Sequence, residues 1–373
     1  MTRFQRSAVR TCTVYGFSIV ELMVAITLGL IVTGAVIQIF VASRSTYNFE
    51  EGVARMQENG RFAIEFLTQD FRMAGYTGCA ANLTQGTVTG IGANLGCTTA
   101  FCNLVSPSVP GSNFNPDGIM AYAYVGPTGS ELNKWEPDLP GTLFTAGEVR
   151  AGTDVVIIQY GSALSTHLTG NTSPQNANIQ VIGSSQIASE ISAGDILMLS
   201  DCKSADILRA TNTPGNGGGA PVTIAHSNAS NVDSFLSHPY DDSAELMKLV
   251  TRIYFIGSGA GGEPALMRRE LIQGGVMSAA QDLVQGIEDM RIRFGEDTDG
   301  DRIANIYRTA DLISAANWRN VVSVRLGILT RTPNNVDGTA DIVAHDLAGT
   351  LVTATNDLNR RRQHYNTTVL LRN

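Results

Sequence analysis

Basic residues are scarce in this chain: 26 Lys and Arg stand against 34 Asp and Glu, a formal charge of −8. An acidic surface repels phosphate backbones, which excludes nucleic acid as the main partner. The run Arg360, Arg361, Arg362 reads as the solvated flank of a strand. Catalytic signatures are missing too. The five histidines, His167, His226, His238, His345 and His364, are scattered, with no H-E-x-x-H pair and no serine nucleophile elbow. No repeat and no clear linker divides the chain, so its 373 residues read as one large unit beyond the N-terminal segment. The reading is a structural protein, not an enzyme.

Cysteine is sparse, with five residues. Cys12 lies in the N-terminal stretch. Cys79, Cys97, Cys102 and Cys202 form an even set downstream of an apolar run, which in an exported domain reads as two disulfides. No histidine sits at ligand spacing from a cysteine pair, so zinc is the weaker reading. Three pairings are open. The one adopted joins Cys97 to Cys102 as a small local loop and Cys79 to Cys202 as a long-range tie, the latter stabilising more because it closes a larger loop.

What the chain does have is a long apolar run in an unusual place. A Sec-type signal puts a short apolar run before a small-residue cleavage site. Here the polar stretch MTRFQRSAVRTCTVYG comes first, and the apolar run begins directly after Gly16. Phe17 to Ala42 has no proline and a single charge, Glu21. As a helix it would be about 39 Å long, enough to span a bilayer with some tilt. A carboxylate in hydrocarbon costs roughly 2.5–3.5 kcal/mol, so Glu21 either lies near the interface or awaits a cationic partner. Cleavage after Gly16 would create one, the α-amino group of Phe17. It would also remove Arg3, Arg6 and Arg10 and take the net charge to −11.

Gly16-Phe17-Ser18-Ile19-Val20-Glu21-Leu22 resembles the cleavage and methylation motif of type IV prepilins and pseudopilins. The resemblance implies cleavage after Gly16 by prepilin peptidase, N-methylation of Phe17, and Glu21 as the assembly carboxylate. The chain departs from the pattern in its long leader and in lacking Lys or Arg immediately before Gly16.

Helical periodicity continues past the apolar run. In Ser43 to Ala74, the residues Val53, Met56, Ala63, Phe66, Leu67, Phe71 and Ala74 fall near one face, while Glu50, Glu51, Arg55, Glu58, Arg61 and Asp70 fill the rest. Gly75 is the expected stop. The stretch Gln57–Cys79 is similar to the post-membrane helix of PilW-type minor pilins. So are Leu197–Leu208 (strand–Asp–Cys–turn–strand), Asn320–Arg331 (a central late strand) and Tyr365–Asn373 (a terminal strand). Residues 82–152 resemble nothing recognisable.

Between these patches, short β-rich runs are split by Gly, Asn, Pro and Ser. Strands are expected at 118–125, 154–160, 179–182, 195–199, 206–210, 222–226, 247–256, 265–271, 321–330 and 367–372. Residues 282–294 fit helix or strand, and 311–320 read as a short helix. The loops at 211–221 and 333–339 are turn-rich. Gly257-Ser-Gly259-Ala-Gly261-Gly262 fits a dinucleotide fingerprint literally, but Pro264 and another β-like run follow it, where a phosphate site needs a helix N-terminus. It reads as a hairpin turn.

Asp297, Asp299 and Asp301 alternate as in the first positions of a calcium loop, with Asn305 and the Ile303 carbonyl as further ligands. Arg302 and Arg308 stand where an EF-hand has its Gly and its bidentate Glu. A solvated acidic turn is the competing reading, and no cofactor other than calcium is expected.

The expectation is an α+β protein with a long N-terminal helix packed on a mainly antiparallel sheet head. Its parts are a leader (1–16), a transmembrane half-helix (17–42), an amphipathic half-helix (43–75) and a periplasmic head (76–373). The resemblance implies a minor pilin that primes or caps type IV pilus assembly. Its implied partners are prepilin peptidase, other minor pilins and the major pilin, the inner-membrane assembly platform and a large tip adhesin. The implied location is the bacterial inner membrane, then the pilus tip. The alternatives are a minor pseudopilin of type II secretion and a tip adhesion or adaptor module.

Overall fold

A computed structural model describes residues 16–79, 101–105, 118–128, 131–215, 217–314, 317–335 and 340–371. The chain divides into two units, Met1–Gly52 and Val53–Asn373. One helix, α1 (Ile19–Met73), contributes to both. It begins at Ser18, whose hydroxyl accepts the Val20 N–H at 3.3 Å and whose carbonyl accepts the Leu22 N–H at 3.1 Å, which satisfies two donors of the first turn. It stops before Gly75, which takes the left-handed φ of 72° that suits glycine.

In the first unit, every residue from Gly16 to Asn48 is exposed, apolar side chains included. α1 is long and apolar enough there to cross a membrane.

The second unit holds the remainder of α1 and all the described strands. In chain order the first are β1 (Phe101–Asn103), β2 (Ile119–Thr128), β3 (Glu131–Glu136), β4 (Val155–His167) and β5 (Ile179–Ile182). A short helix α2 (Gln186–Glu190) precedes β6 (Ile196–Ser200), β7 (Ala205–Arg209), β8 (Pro221–Ile224), β9 (Glu245–Ser258), β10 (Pro264–Ile272), β11 (Val276–Met277) and β12 (Gln281–Gln285). Then come β13 (Ile287–Glu296), β14 (Ile306–Arg308), β15 (Val321–Arg331), β16 (Ala344–Leu347), β17 (Thr350–Thr353) and β18 (Arg362–Leu370).

β9 is the spine of the larger sheet, whose main path runs β1-β7-β6-β9-β4-β2-β3. Along one edge its residues Glu245–Tyr254 pair with β4. The other edge is divided between β6, at Glu245–Lys248, and β10, at Arg252–Ser258. The second sheet is antiparallel, ordered β14-β13-β15-β18. Among the described pairs, β1–β7 alone is parallel. The α+β class therefore holds.

The main core lies between the two sheets and takes in α1. Ala63, Leu67, Phe71 and Ala74 pack there with Ile158, Ile256, Ile292, Phe294, Leu326 and Ile328. In the second unit the buried α1 positions are Met56, Gly60, Ala63, Leu67, Asp70 and Phe71, most of them three or four apart, and Ala74 just past the helix extends the series, so one stripe is covered. Two assignments of face differ from the sequence reading. Phe66 is 38% exposed, and Asp70 is buried on the apolar stripe because the head supplies its partners.

Each of the ten expected strands overlaps an observed one, though β4 runs on to His167 and β18 begins at Arg362, and residues 282–294 fall into β12 and β13. The helix expected at 311–320 is instead two 3-10 turns, Ala310–Leu312 and Trp318–Asn320. Ile313 turns extended to enter the core, and Trp318 meets the Phe294 ring edge-on at 4.9 Å. A helix this short has little intrinsic stability against those two contacts.

Candidate functional site

Gly16 and Phe17 lie just before α1, Phe17 83% exposed and Gly16 with open space around its Cα. Glu21 falls in the first helical turn, where the helix dipole favours a carboxylate. The segment thus presents a free backbone at the expected cut and a negative charge one turn into the helix.

The other half of α1 carries a second carboxylate, and here the partners are within the head. Asp70 accepts hydrogen bonds from the Tyr160 hydroxyl (3.0 Å), the Tyr254 hydroxyl (2.6 Å) and Arg252 Nη1 (2.6 Å). β4 and β9 place all three donors. Burial, then the Asp70 charge, pushes both tyrosines far above their ordinary range. Desolvation works against the Arg252 charge, but Asp70 outweighs it and raises the guanidinium further. This cluster was missed because Asp70 was read as one of the solvated charges. The available signal was its register, three residues after Leu67 and beside Phe71.

The chain leaving α1 is fastened step by step. Gly75 N donates to Gln159 O (3.0 Å), Gly161 N to Tyr76 O (2.7 Å), and Ser200 Oγ to Thr77 O (2.9 Å). Cys79 then bonds to Cys202, with Cα atoms 4.7 Å apart. The long-range tie is therefore present. Its partner bond is outside description: Cys97 is not among the described residues, and of Cys102 only the β1 backbone is.

Cys202 sits in the β6–β7 turn. Asp201 shapes it by accepting the N–H groups of Lys203 (2.7 Å) and Ser204 (2.8 Å), which hold its carboxyl below the usual range against the desolvation that raises it. His238 bridges this turn to the following loop, Nε2 to Asp201 at 2.9 Å and Nδ1 to Ser204 Oγ at 2.7 Å. The trio has the residue types of a hydrolytic triad. However, Ser204 is 9% exposed and is closed in by Ser237 Oγ and Tyr240 OH, so it serves as a buried hydrogen-bond link.

The acidic turn joins β13 to β14. The carboxylates of Asp297, Asp299 and Asp301 converge, with ligand oxygens within 4.8 Å of one another. Asp297 already accepts three backbone N–H groups, from Asp299 (3.1 Å), Gly300 (2.7 Å) and Arg302 (2.8 Å). Desolvation raises its carboxyl, but those bonds prevail and hold it below the usual range. Arg302 adopts φ 65°, the left-handed geometry for which an EF-hand uses Gly at this position. The glycine-rich run Gly257–Gly262 is the β9–β10 hairpin connection, closed by Gly259 N to Glu263 O at 2.7 Å. It opens no long helix.

These features define the class: an α+β protein whose exposed apolar helix suits membrane anchoring, with a disulfide-tied, sheet-rich head. Residues 253–373, from the second half of β9 onward, match the family model for Type IV Pilus-assembly protein W (PilW), which supports a PilW-type type IV pilus protein with a part in pilus assembly. No curated protein and no solved structure matches the chain.

Proposed function

We propose that this chain is a minor pilin that co-assembles with other minor pilins to prime or cap a type IV pilus. The observation that carries the reading is the PilW match over 253–373 in a chain whose apolar helix begins at Ile19, just after Gly16-Phe17, with Glu21 in its first turn. In this reading prepilin peptidase cuts after Gly16, Phe17 is methylated, and the head stays in the periplasm while α1 holds the inner membrane. Apolar packing of α1 against neighbouring helices draws subunits together. Glu21 sets axial register by pairing with the Phe17 amine of a neighbour, which removes the cost of a lone carboxylate in hydrocarbon. The contribution is physical, and no catalytic step is assigned.

The test is a Glu21→Ala strain. Membrane insertion should be unchanged, and incorporation into pili and pilus number should fall. Normal pilus number would refute the register mechanism. Loss of exoprotein release with pili intact would move the protein to type II secretion. Calcium at Asp297, Asp299 and Asp301 is an accessory proposal. Calcium should raise the melting temperature of the wild type and leave Asp299→Asn unshifted.

A further inference from the structure

Two histidines nineteen positions apart in sequence are brought together on the outer face of the second sheet. The β16–β17 hairpin lies flat against β15 there: a Cβ at Gly327 would overlap the backbone of Leu347 and Ala348. Asn366 of β18 clamps it, donating to Asp346 O at 2.8 Å and accepting from Ala348 N at 2.9 Å. The docking sets His345 of β16 against His364 of β18, Nδ1 to Nδ1 at 3.4 Å.

At 3.4 Å the two nitrogens stand at the far end of hydrogen-bonding distance. That separation also suits a shared ion. Two nitrogens, each about 2.0–2.1 Å from one tetrahedral cation, stand about 3.3–3.4 Å apart. His345 is 8% exposed, and its far nitrogen, Nε2, has no hydrogen-bond partner. It faces Asp341 Oδ1 at 3.8 Å. A metal-bound imidazole turns its second N–H toward a carboxylate, which fixes the ring and raises its basicity, and Asp341 stands on that side of the ring, beyond hydrogen-bond distance. His364 is exposed, so an ion can reach the pair from solvent. The nearby Arg362 cation is engaged by Glu288 and does not oppose a second positive charge unscreened.

We infer that His345 and His364 bind one borderline divalent cation of the zinc class through their paired Nδ1 atoms. Asp341 orients His345, and water fills the remaining positions. Imidazole donors favour zinc, nickel or copper over calcium or magnesium, which separates this site from the acidic turn. The bound ion clips the outer hairpin to the edge strand β18. Spacing along the chain could not show the pair, because the hairpin fold creates it.

The test uses the full chain in detergent micelles, stripped with EDTA and desalted. Titration with zinc chloride should give one saturable calorimetric site per chain. His364→Ala, at an exposed position that leaves the core intact, should weaken zinc by at least about tenfold. Cobalt(II) should give a visible d–d band in the wild type and lose it in the same variant. Absence of saturable zinc heat in the wild type overturns the inference. So does a His364→Ala protein with wild-type zinc affinity and an unchanged cobalt band.

Discussion

The two halves of α1 use the same backbone for opposite purposes. Through Asn48 the helix shows its apolar side chains on every face, whereas from Val53 to Ala74 it covers one stripe and leaves the rest to water. Each half carries one carboxylate among apolar neighbours. Asp70 finds a guanidinium and two phenols inside its own head. Glu21, in the proposed mechanism, finds its cation on another subunit. A carboxylate set among apolar side chains signals where an interaction is completed, within the chain or beyond it.

The sharpest break of that contrast is Asp70→Ala. It removes the nearer anion from Arg252, which keeps Glu270 at 3.6 Å, and leaves two buried hydroxyls without their acceptor, and stability should fall by about 3–5 kcal/mol. Urea unfolding in detergent measures it. Glu21→Ala should leave the same transition where it is. If the two variants unfold alike, the distinction between the carboxylates is wrong.

The next effect concerns the helix exit. Removing the Cys79–Cys202 bond with paired serines should cost about 2–4 kcal/mol, since the bond closes a loop of 123 positions. Reductant should produce the same loss in the wild type and none in the paired variant.

A third effect is a pH dependence carried by groups of the head. Burial pushes the Asp289 carboxyl up to about 7, Arg291 opposing and Asp154 adding to the rise. Burial likewise raises Asp206 to about 6, against bonds from Ser237. Both folded values exceed the unfolded one, so the native state holds extra protons between about pH 4 and 7. Their stabilisation is complete below that window and is lost as pH rises through it, at up to about 1.4 kcal/mol per pH unit for each group. Asp289→Asn should flatten the slope between pH 5 and 7 in chemical unfolding, and the variant should be the more stable protein at pH 7. A wild-type slope in the variant would remove Asp289 from the account.

Much of this was legible from residue order. Gly75 as the helix stop and all ten strand positions follow from local chemistry, and local chemistry is what periodicity and turn residues report. Cys202 was legible as well, since its Asp–Cys turn is contained within twelve residues. What escaped was long-range. Asp70 looks like any helical charge until β4 and β9 bring Tyr160, Tyr254 and Arg252 to it. The 3-10 turns at 310–320 replaced a helix because Ile313 and Trp318 had to reach core positions that no local pattern encodes. His345 and His364 met only through a hairpin folded over a sheet. The strand β3 was missed because its polar run ELNKWE carries no Val, Ile or Thr to mark a strand.

The fastening at Cys79 also determines what a pull on α1 can do. Tension entering along the helix passes from Cys79 straight to Cys202 through a covalent bond. The intervening chain would extend to roughly 400 Å if drawn out, and that length is withheld from the load. The head can yield only beyond Cys202 or at the helix itself, so oxidation sets the protein's reach under force as well as its stability.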